Sequence, residues 1–126
     1  MVSYLHARDI SDVRMLRAID EGQRVMFGVA MRCDVTRILG GLAADAPVPS
    51  DEVPGVPWKV VLAKFRRVEG RGLARGCDCG CRGDWELTDA GRRLVELSRC
   101  TASPCLLHRE HADRAPRGGR VVMVVR

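Results

Sequence analysis

The stretch PWKVVLAKFRRVEGRGLARGCDCGCRGDWELTDAGRR, from Pro57 to Arg93, decides how this chain is interpreted. Its order predicts a basic helix, a glycine turn, a short hairpin that contains cysteines, and a second helix. Pro57 suits the first turn of a helix, where its missing N–H would have no partner in any case. Gly70 and Gly72 flank Arg71 and are expected to end that helix. We therefore expect a mainly α protein with a small β component.

The predicted helix has two different faces, because residues spaced by 3.6 positions lie on the same side. One face is apolar and is expected to build the core: Val61, Leu62, Phe65 and Val68. The other face is basic: Lys59, Ala63, Arg66 and Arg67.

The predicted hairpin follows at once. Residues 73–75 and 85–87 show the short alternation of paired strands, with residues 76–83 as the loop. Thr88 is expected to cap the next helix, and Asp89 suits its first turn. Leu73 and Leu87 are interpreted as core residues at the two ends of the hairpin.

Outside this stretch the elements are shorter. Ser11 and Asp12 predict the start of a helix that stops near Gly22, and Asp34 predicts the N-cap of a helix over residues 35–44. The apolar run Val25–Met31 fits either a buried strand or the opening of a longer helix. Ser50 starts a further helix, which Pro54 and Gly55 should keep short.

These elements predict a domain organisation in three parts. Residues 1–33 form an N-terminal helical or strand extension, and residues 34–99 form the main domain. Residues 100–126 combine a Cys/His segment, a basic linker and a strand over Val121–Val125.

Length and composition restrict the class of protein. A chain of 126 residues that is 46% hydrophobic and 29% charged is expected to be one globular unit. No apolar run reaches the length of a membrane span, and the N-terminus lacks the apolar stretch of a signal peptide, so we expect a cytoplasmic protein. No Ser-His-Asp order, carboxylate pair or phosphate-binding glycine loop is evident, so we do not expect an enzyme.

The positive charge is concentrated in one segment. The net charge of the chain is +5, and residues 57–82 contain seven basic and two acidic residues. A basic cluster on a helix and hairpin is typical of proteins that bind nucleic acid. A solvated arginine-rich surface is the alternative.

Two motifs of the main domain resemble those of a known protein family. Residues 65–73, FRRVEGRGL, are similar to the end of the recognition helix in winged helix-turn-helix regulators of the MarR and PadR type. Residues 87–92, LTDAGR, are similar to the segment that follows the wing in those proteins. The resemblance covers roughly residues 34–98, and the order and spacing of the two motifs make it more specific than either motif alone.

The resemblance implies a winged helix-turn-helix with N- and C-terminal extensions that binds double-stranded DNA as a small transcriptional regulator. Small size and arginine bias suit a regulator encoded by a phage. Arg71, Arg75 and Arg82 would contact phosphates around the wing, and the recognition helix would supply the remaining contacts. The expected DNA-binding residues are Trp58, Lys59, Ala63, Lys64, Arg66, Arg67, Arg71, Arg75 and Arg82.

Two departures leave other partners open. The chain lacks the long terminal helices through which MarR proteins dimerise, and its second helix is expected to be very short, so the resemblance does not carry over a dimer that binds a palindrome. The alternative is a winged-helix module that binds a second copy or another protein through Val25–Met31 and Val121–Val125.

The cysteines are not explained by DNA binding. Cys77, Cys79 and Cys81 alternate, so on a strand they would project to one side and three thiolates could hold a soft metal, with zinc the default. Further ligands would come from the second cluster: Cys100, Cys105, His108 and His111. An iron–sulfur cluster, a redox- or metal-responsive switch and simple loop cysteines are the other interpretations. Cys33 is predicted to be buried in the core.

Overall fold

A computed structural model describes residues 3–25, 28–77 and 84–102, with the backbone alone for residues 100–102. Four helices and one antiparallel pair of strands follow in the order α1 (Asp12–Val25), α2 (Arg32–Leu39), α3 (Trp58–Gly70), β1 (Ala74–Arg75), β2 (Glu86–Leu87) and α4 (Asp89–Ala102). Short 3-10 turns occupy Ala7–Asp9 and Ser50–Glu52. The prediction of a mainly helical fold with a minor sheet is confirmed.

Helix α1 begins as predicted but runs further. The Ser11 hydroxyl accepts a hydrogen bond from the Arg14 N–H at 3.0 Å, as an N-cap should. Gly22 does not end the helix, which continues to Val25. A Cβ at residue 22 would lie 2.8 Å from the Cβ of Ala30, so this glycine permits a close approach between α1 and the segment that follows it.

Ala30 connects that segment to the hairpin. It forms an isolated antiparallel bridge with Trp85, in which both N–H···O distances are 2.7 Å. Val25 belongs to α1, and residues 26–27 lie outside the described part of the chain. Neither predicted form covers the whole run Val25–Met31, and Ala30, which is fully buried and already paired, is not open to a protein partner.

Helix α2 differs from its prediction at both ends. Met31 takes the N-cap position, and Asp34 lies within the first turn, where its buried carboxylate accepts a hydrogen bond from Arg37 at 3.4 Å. The helix ends at Leu39 rather than near residue 44, since the backbone of Gly41 turns to φ +85°. The acidic side chain that looked like a cap instead neutralises an arginine of its own helix.

The connection from α2 to α3 is held by side chains rather than by sheet pairing. Arg37 donates to the carbonyl oxygen of Val48 at 2.7 Å and to that of Ala44 at 3.1 Å. The helix predicted after Ser50 is a single 3-10 turn, and Val53 and Val56 behind it are buried. The start of α3 is thereby fixed against α2.

Helix α3 ends in a Schellman motif. The N–H of Leu73 donates to the carbonyl of Val68 at 3.0 Å, and the N–H of Gly72 donates to that of Glu69 at 2.9 Å. Gly72 has φ +77°, which glycine adopts without strain. The chain therefore leaves the helix sharply and enters β1 directly.

The hairpin is closed by Thr88 and Gly91. Ala74 pairs with Leu87, and Arg75 pairs with Glu86. The Thr88 hydroxyl accepts a hydrogen bond from the Gly91 N–H at 3.2 Å and donates to the Gly72 carbonyl at 2.6 Å. A Cβ on Gly91 would overlap the carbonyl oxygen of Leu73, so α4 can approach the hairpin this closely only with glycine at this position.

One hydrophobic core joins these elements. The rings of Phe65 and Trp85 stack with centroids 4.1 Å apart and an interplanar angle of 5°, and both side chains are fully buried. The core extends from Ile10 to Val95 and includes residues on both sides of the predicted boundary at residue 34. Predicted core residues Val61, Val68 and Leu87 lie within it.

Candidate nucleic-acid interface

One side of α3 faces away from the core. The side chains of Lys59, Arg66 and Arg67 are exposed, and Ala63 between them is half-buried. These positions share one stripe of the helix, opposite the stripe that carries the buried side chains. We call Lys59, Ala63, Arg66 and Arg67 the α3 outer face.

Lys64 does not belong to this face. Its side chain is only 5% exposed, and its Nζ lies 2.6 Å from the Asp12 carboxylate at the start of α1. An ammonium group in this position is withdrawn from phosphate, because its charge is neutralised inside the fold. We therefore correct its expected role: Lys64 joins α3 to α1 and is left out of the candidate interface.

Asp12 also holds Arg71. The Nη1 of Arg71 lies 2.6 Å and 2.7 Å from the two carboxylate oxygens, although the arginine side chain is 51% exposed. Burial raises the pKa of Asp12, but hydrogen bonds and charges from Lys64 and Arg71 outweigh it, so the pKa lies below the usual value of an aspartate. This carboxylate stays ionised near neutral pH and fixes the end of α3 against the start of α1.

Arg75 lies on the hairpin and is also paired. Its Nε donates to the Glu86 carboxylate across the two strands at 2.8 Å, and its side chain remains 66% exposed. An exposed pair of this kind contributes little to stability. A phosphate could therefore compete for this arginine at small cost. Arg82, the remaining predicted wing contact, lies outside the described residues.

Two cationic side chains lie over the ring of Trp58. The guanidinium carbon of Arg32, from α2, lies 4.9 Å from the ring centroid, and the Nζ of Lys59 lies 5.9 Å from it. The half-buried Trp58 also packs against the core. Sequence reasoning missed Arg32, because its nearness to Trp58 depends on how α2 and α3 pack and no local pattern announces it.

The described cysteines do not form a metal site among themselves. Cys77 is half-buried at the base of the hairpin, where its carbonyl oxygen accepts a hydrogen bond from Trp85 Nε1 at 2.8 Å. Residues 3–25, 28–77 and 84–102 contain no group of three or more His, Cys, Asp or Glu residues arranged to hold a metal.

Most of the predicted ligands cannot be placed. Cys79, Cys81, Cys105, His108 and His111 lie outside the described residues, and Cys100 lies in α4, where only the backbone is described. Zinc binding therefore stays a prediction. Cys33 is half-buried rather than in the core, with its Sγ 3.7 Å from a carboxylate oxygen of Asp34.

Comparison with protein-family models, with curated proteins and with solved structures gives no match to this chain. None of the helices in the described ranges has the length and apolar character needed to span a membrane. The geometry of α3 and its surroundings is thus the basis for a functional assignment.

Proposed function

We propose that this protein binds double-stranded DNA in a sequence-specific manner as a small winged-helix transcriptional regulator. Helix α3 would enter the major groove, and the hairpin would lie along the neighbouring backbone. The observation that carries the proposal is the α3 outer face: three exposed basic side chains on a helix whose opposite side is fixed in the core.

The chemistry of this face suits base edges. Arginine reads guanine through two parallel hydrogen bonds, and the exposed Arg66 and Arg67 lie side by side in the second half of α3. Ala63 has only a methyl group, so it would let the helix backbone approach the groove and could contact a thymine methyl. Base-specific contacts are therefore assigned to Ala63, Arg66 and Arg67.

The surroundings suit phosphates. Arg71 and Arg75 are more than half exposed and lie just beyond α3, at the start of the hairpin. Lys59, at the opposite end of the helix, is also exposed. Contacts from both ends of α3 would fix its orientation without reading sequence.

The order of elements gives further support. Two helices, with a single bridge at Ala30 between them, precede α3, and a hairpin and a closing helix follow it. A winged helix-turn-helix would have its elements in the same order. In this arrangement Ala30 takes the place of the third strand beside the hairpin. The Schellman turn after α3 leads the chain directly from the helix into the hairpin.

The test is binding of a labelled duplex, measured by fluorescence anisotropy across a range of salt concentrations. Sites selected from a random duplex pool supply the specific sequence. Arg66→Ala combined with Arg67→Ala should weaken binding to it by about 30-fold or more, since each base-reading arginine contributes ~1–3 kcal/mol and the two together ~2–6 kcal/mol. If either side chain also binds phosphate, the slope of log affinity against log salt should fall by about 0.9 for each phosphate that the variant no longer neutralises.

A matched control comes from α4. Arg92 and Arg93 are also adjacent and exposed, so changing both to alanine removes the same charge from another helix. This control should retain the preference for the selected site. Equal loss of affinity in both double variants, or no duplex binding by the unaltered chain even at low salt, would contradict the proposal.

A further inference from the structure

A second concentration of arginine lies away from the α3 outer face. A cavity of about 350 Å³ opens where α1, the end of α2 and α4 meet. Its lining is Arg14, Arg17, Ala18, Glu21, Arg24, Ile38 and Arg99. Four arginines and one glutamate give this cavity a strongly positive wall. Its volume is at the lower end of the ~300–1,000 Å³ range of small-molecule sites.

Two of the four arginines share one carboxylate partner. The Nη2 of Arg24 lies 2.9 Å from the Asp20 carboxylate, and the Nη2 of Arg99 lies 2.7 Å from the same oxygen. Asp20 thus links α1 to α4 beside the cavity. Its single negative charge is shared by two arginines, so it offsets their positive charge only in part.

Arg14 and Arg17 differ from that pair. Arg14 Nη2 donates to the carbonyl oxygens of Ile38 and Leu39 at the long distances of 3.3 Å and 3.4 Å. Arg17 Nε donates to the Ser98 hydroxyl at 3.2 Å. Among the described residues neither guanidinium forms an ion pair, although both side chains are half-buried.

This arrangement leaves N–H donors that the hydrogen bonds above do not use, on two residues that line the cavity. A guanidinium has five N–H groups, and these hydrogen bonds use one nitrogen of each arginine. Arg14 and Arg17 are three residues apart on α1, so they lie on one side of the helix. Among the described residues these two half-buried guanidinium groups have no carboxylate partner, so an oxyanion could balance their charge. Arginine binds such anions through paired hydrogen bonds.

We propose that this cavity is a binding site for a small oxyanionic ligand, a phosphate or carboxylate compound, with Arg14 and Arg17 as its contacting groups. The volume of about 350 Å³ restricts the ligand to a small molecule. Because the walls belong to three helices, a bound anion would hold α1, α2 and α4 together and stabilise the fold. This proposal does not depend on DNA binding.

The experiment is titration calorimetry of the full-length chain with inorganic phosphate and, separately, with succinate, at constant ionic strength set by chloride. Saturable binding of at least one anion is expected, and the stronger of the two identifies the ligand class. Arg17→Gln should weaken that binding at least tenfold, whereas Arg17→Lys should weaken it less, because lysine retains the charge without the paired donors. Thermal midpoints measured with and without the anion show in parallel whether each variant is folded.

Two controls make the outcome decisive. Arg93→Gln removes an exposed arginine of α4 outside the cavity lining and should leave anion binding unchanged. The Arg66→Ala, Arg67→Ala variant should also retain it, which separates this site from the α3 outer face. Heat that does not saturate in the unaltered chain, or equal affinity in Arg17→Gln, would overturn the proposal.

Discussion

Gly91 provides the sharpest test of how the hairpin and α4 fit together. In Gly91→Ala the new Cβ would overlap the carbonyl oxygen of Leu73. That oxygen belongs to the backbone and already accepts the N–H of Thr88 at 3.2 Å, so it cannot rotate away as a side chain would. Overpacking of this kind costs ~1–3 kcal/mol, and the obstacle places this case in the upper half of the range.

The gain in helix propensity offsets part of that cost. Alanine is favoured over glycine within helices by up to ~1 kcal/mol. The net expectation is that Gly91→Ala lowers the free energy of unfolding by about 1–2 kcal/mol. For a folded unit of this size the thermal midpoint should fall by about 4–16 °C, at ~4–8 °C for each kcal/mol.

Gly70→Ala is the matched control, because it makes the same chemical change in α3. Apart from the adjoining backbone of α3 and its chain neighbours, no heavy atom of the described residues lies within 4 Å of a Cβ built at residue 70. Without an obstacle, this variant should be unchanged or more stable by up to ~1 kcal/mol. Urea unfolding, followed by circular dichroism and tryptophan fluorescence, measures both variants. If Gly91→Ala unfolds at or above the midpoint of the unaltered chain, the proposed close contact with Leu73 is refuted.

Three further predictions concern the Asp12 carboxylate, Trp85 and the cysteines. Because the pKa of Asp12 is lowered in the fold, its contribution to stability is present above the unfolded-state pKa and is lost as pH falls through the folded-state pKa. Asp12→Asn should therefore destabilise the protein at pH 7. In acid unfolding, the variant should also lose less stability than the unaltered chain as pH falls below about 4. Trp85→Phe keeps the ring stack but removes the hydrogen bond to the Cys77 carbonyl, so urea unfolding should show a loss of about 1–3 kcal/mol; no loss would mean that the bond contributes nothing. Elemental analysis of protein prepared without added metal should find one zinc per chain, abolished when Cys77, Cys79 and Cys81 are changed to serine; clearly substoichiometric metal, or zinc unaffected by these changes, would contradict the assignment of these cysteines.

Local signals in the sequence were sufficient for α3 and the hairpin. Each of these signals acts within a few residues: the glycines at 70 and 72, the alternation on either side of the loop, and the Thr88 cap. The structure contains the elements that they predict. Asp34 was misassigned because an acidic residue before an apolar run looks the same at the N-cap and in the first turn. The bridge at Ala30 fixes the chain just before α2, so the helix begins at Arg32 and Asp34 falls in its first turn.

The candidate site shows a similar limit. The period of α3 identified its outer face, but Lys64 was expected to be solvated because lysine usually is. Its burial depends on Asp12, which is distant in the sequence and near only after α1 packs on α3. The Arg32–Trp58 contact and the arginine-lined cavity likewise arise between helices, where a single chain segment gives no signal.

The position of Trp85 has a consequence for how this protein could evolve. Its ring stacks on Phe65 of α3, its backbone pairs with Ala30, and its indole N–H holds Cys77 at the opposite end of the loop. One residue therefore serves a helix, a backbone bridge and the hairpin at the same time. Because a replacement would have to keep all three contacts, position 85 should accept fewer substitutions during evolution than a core position with a single packing role.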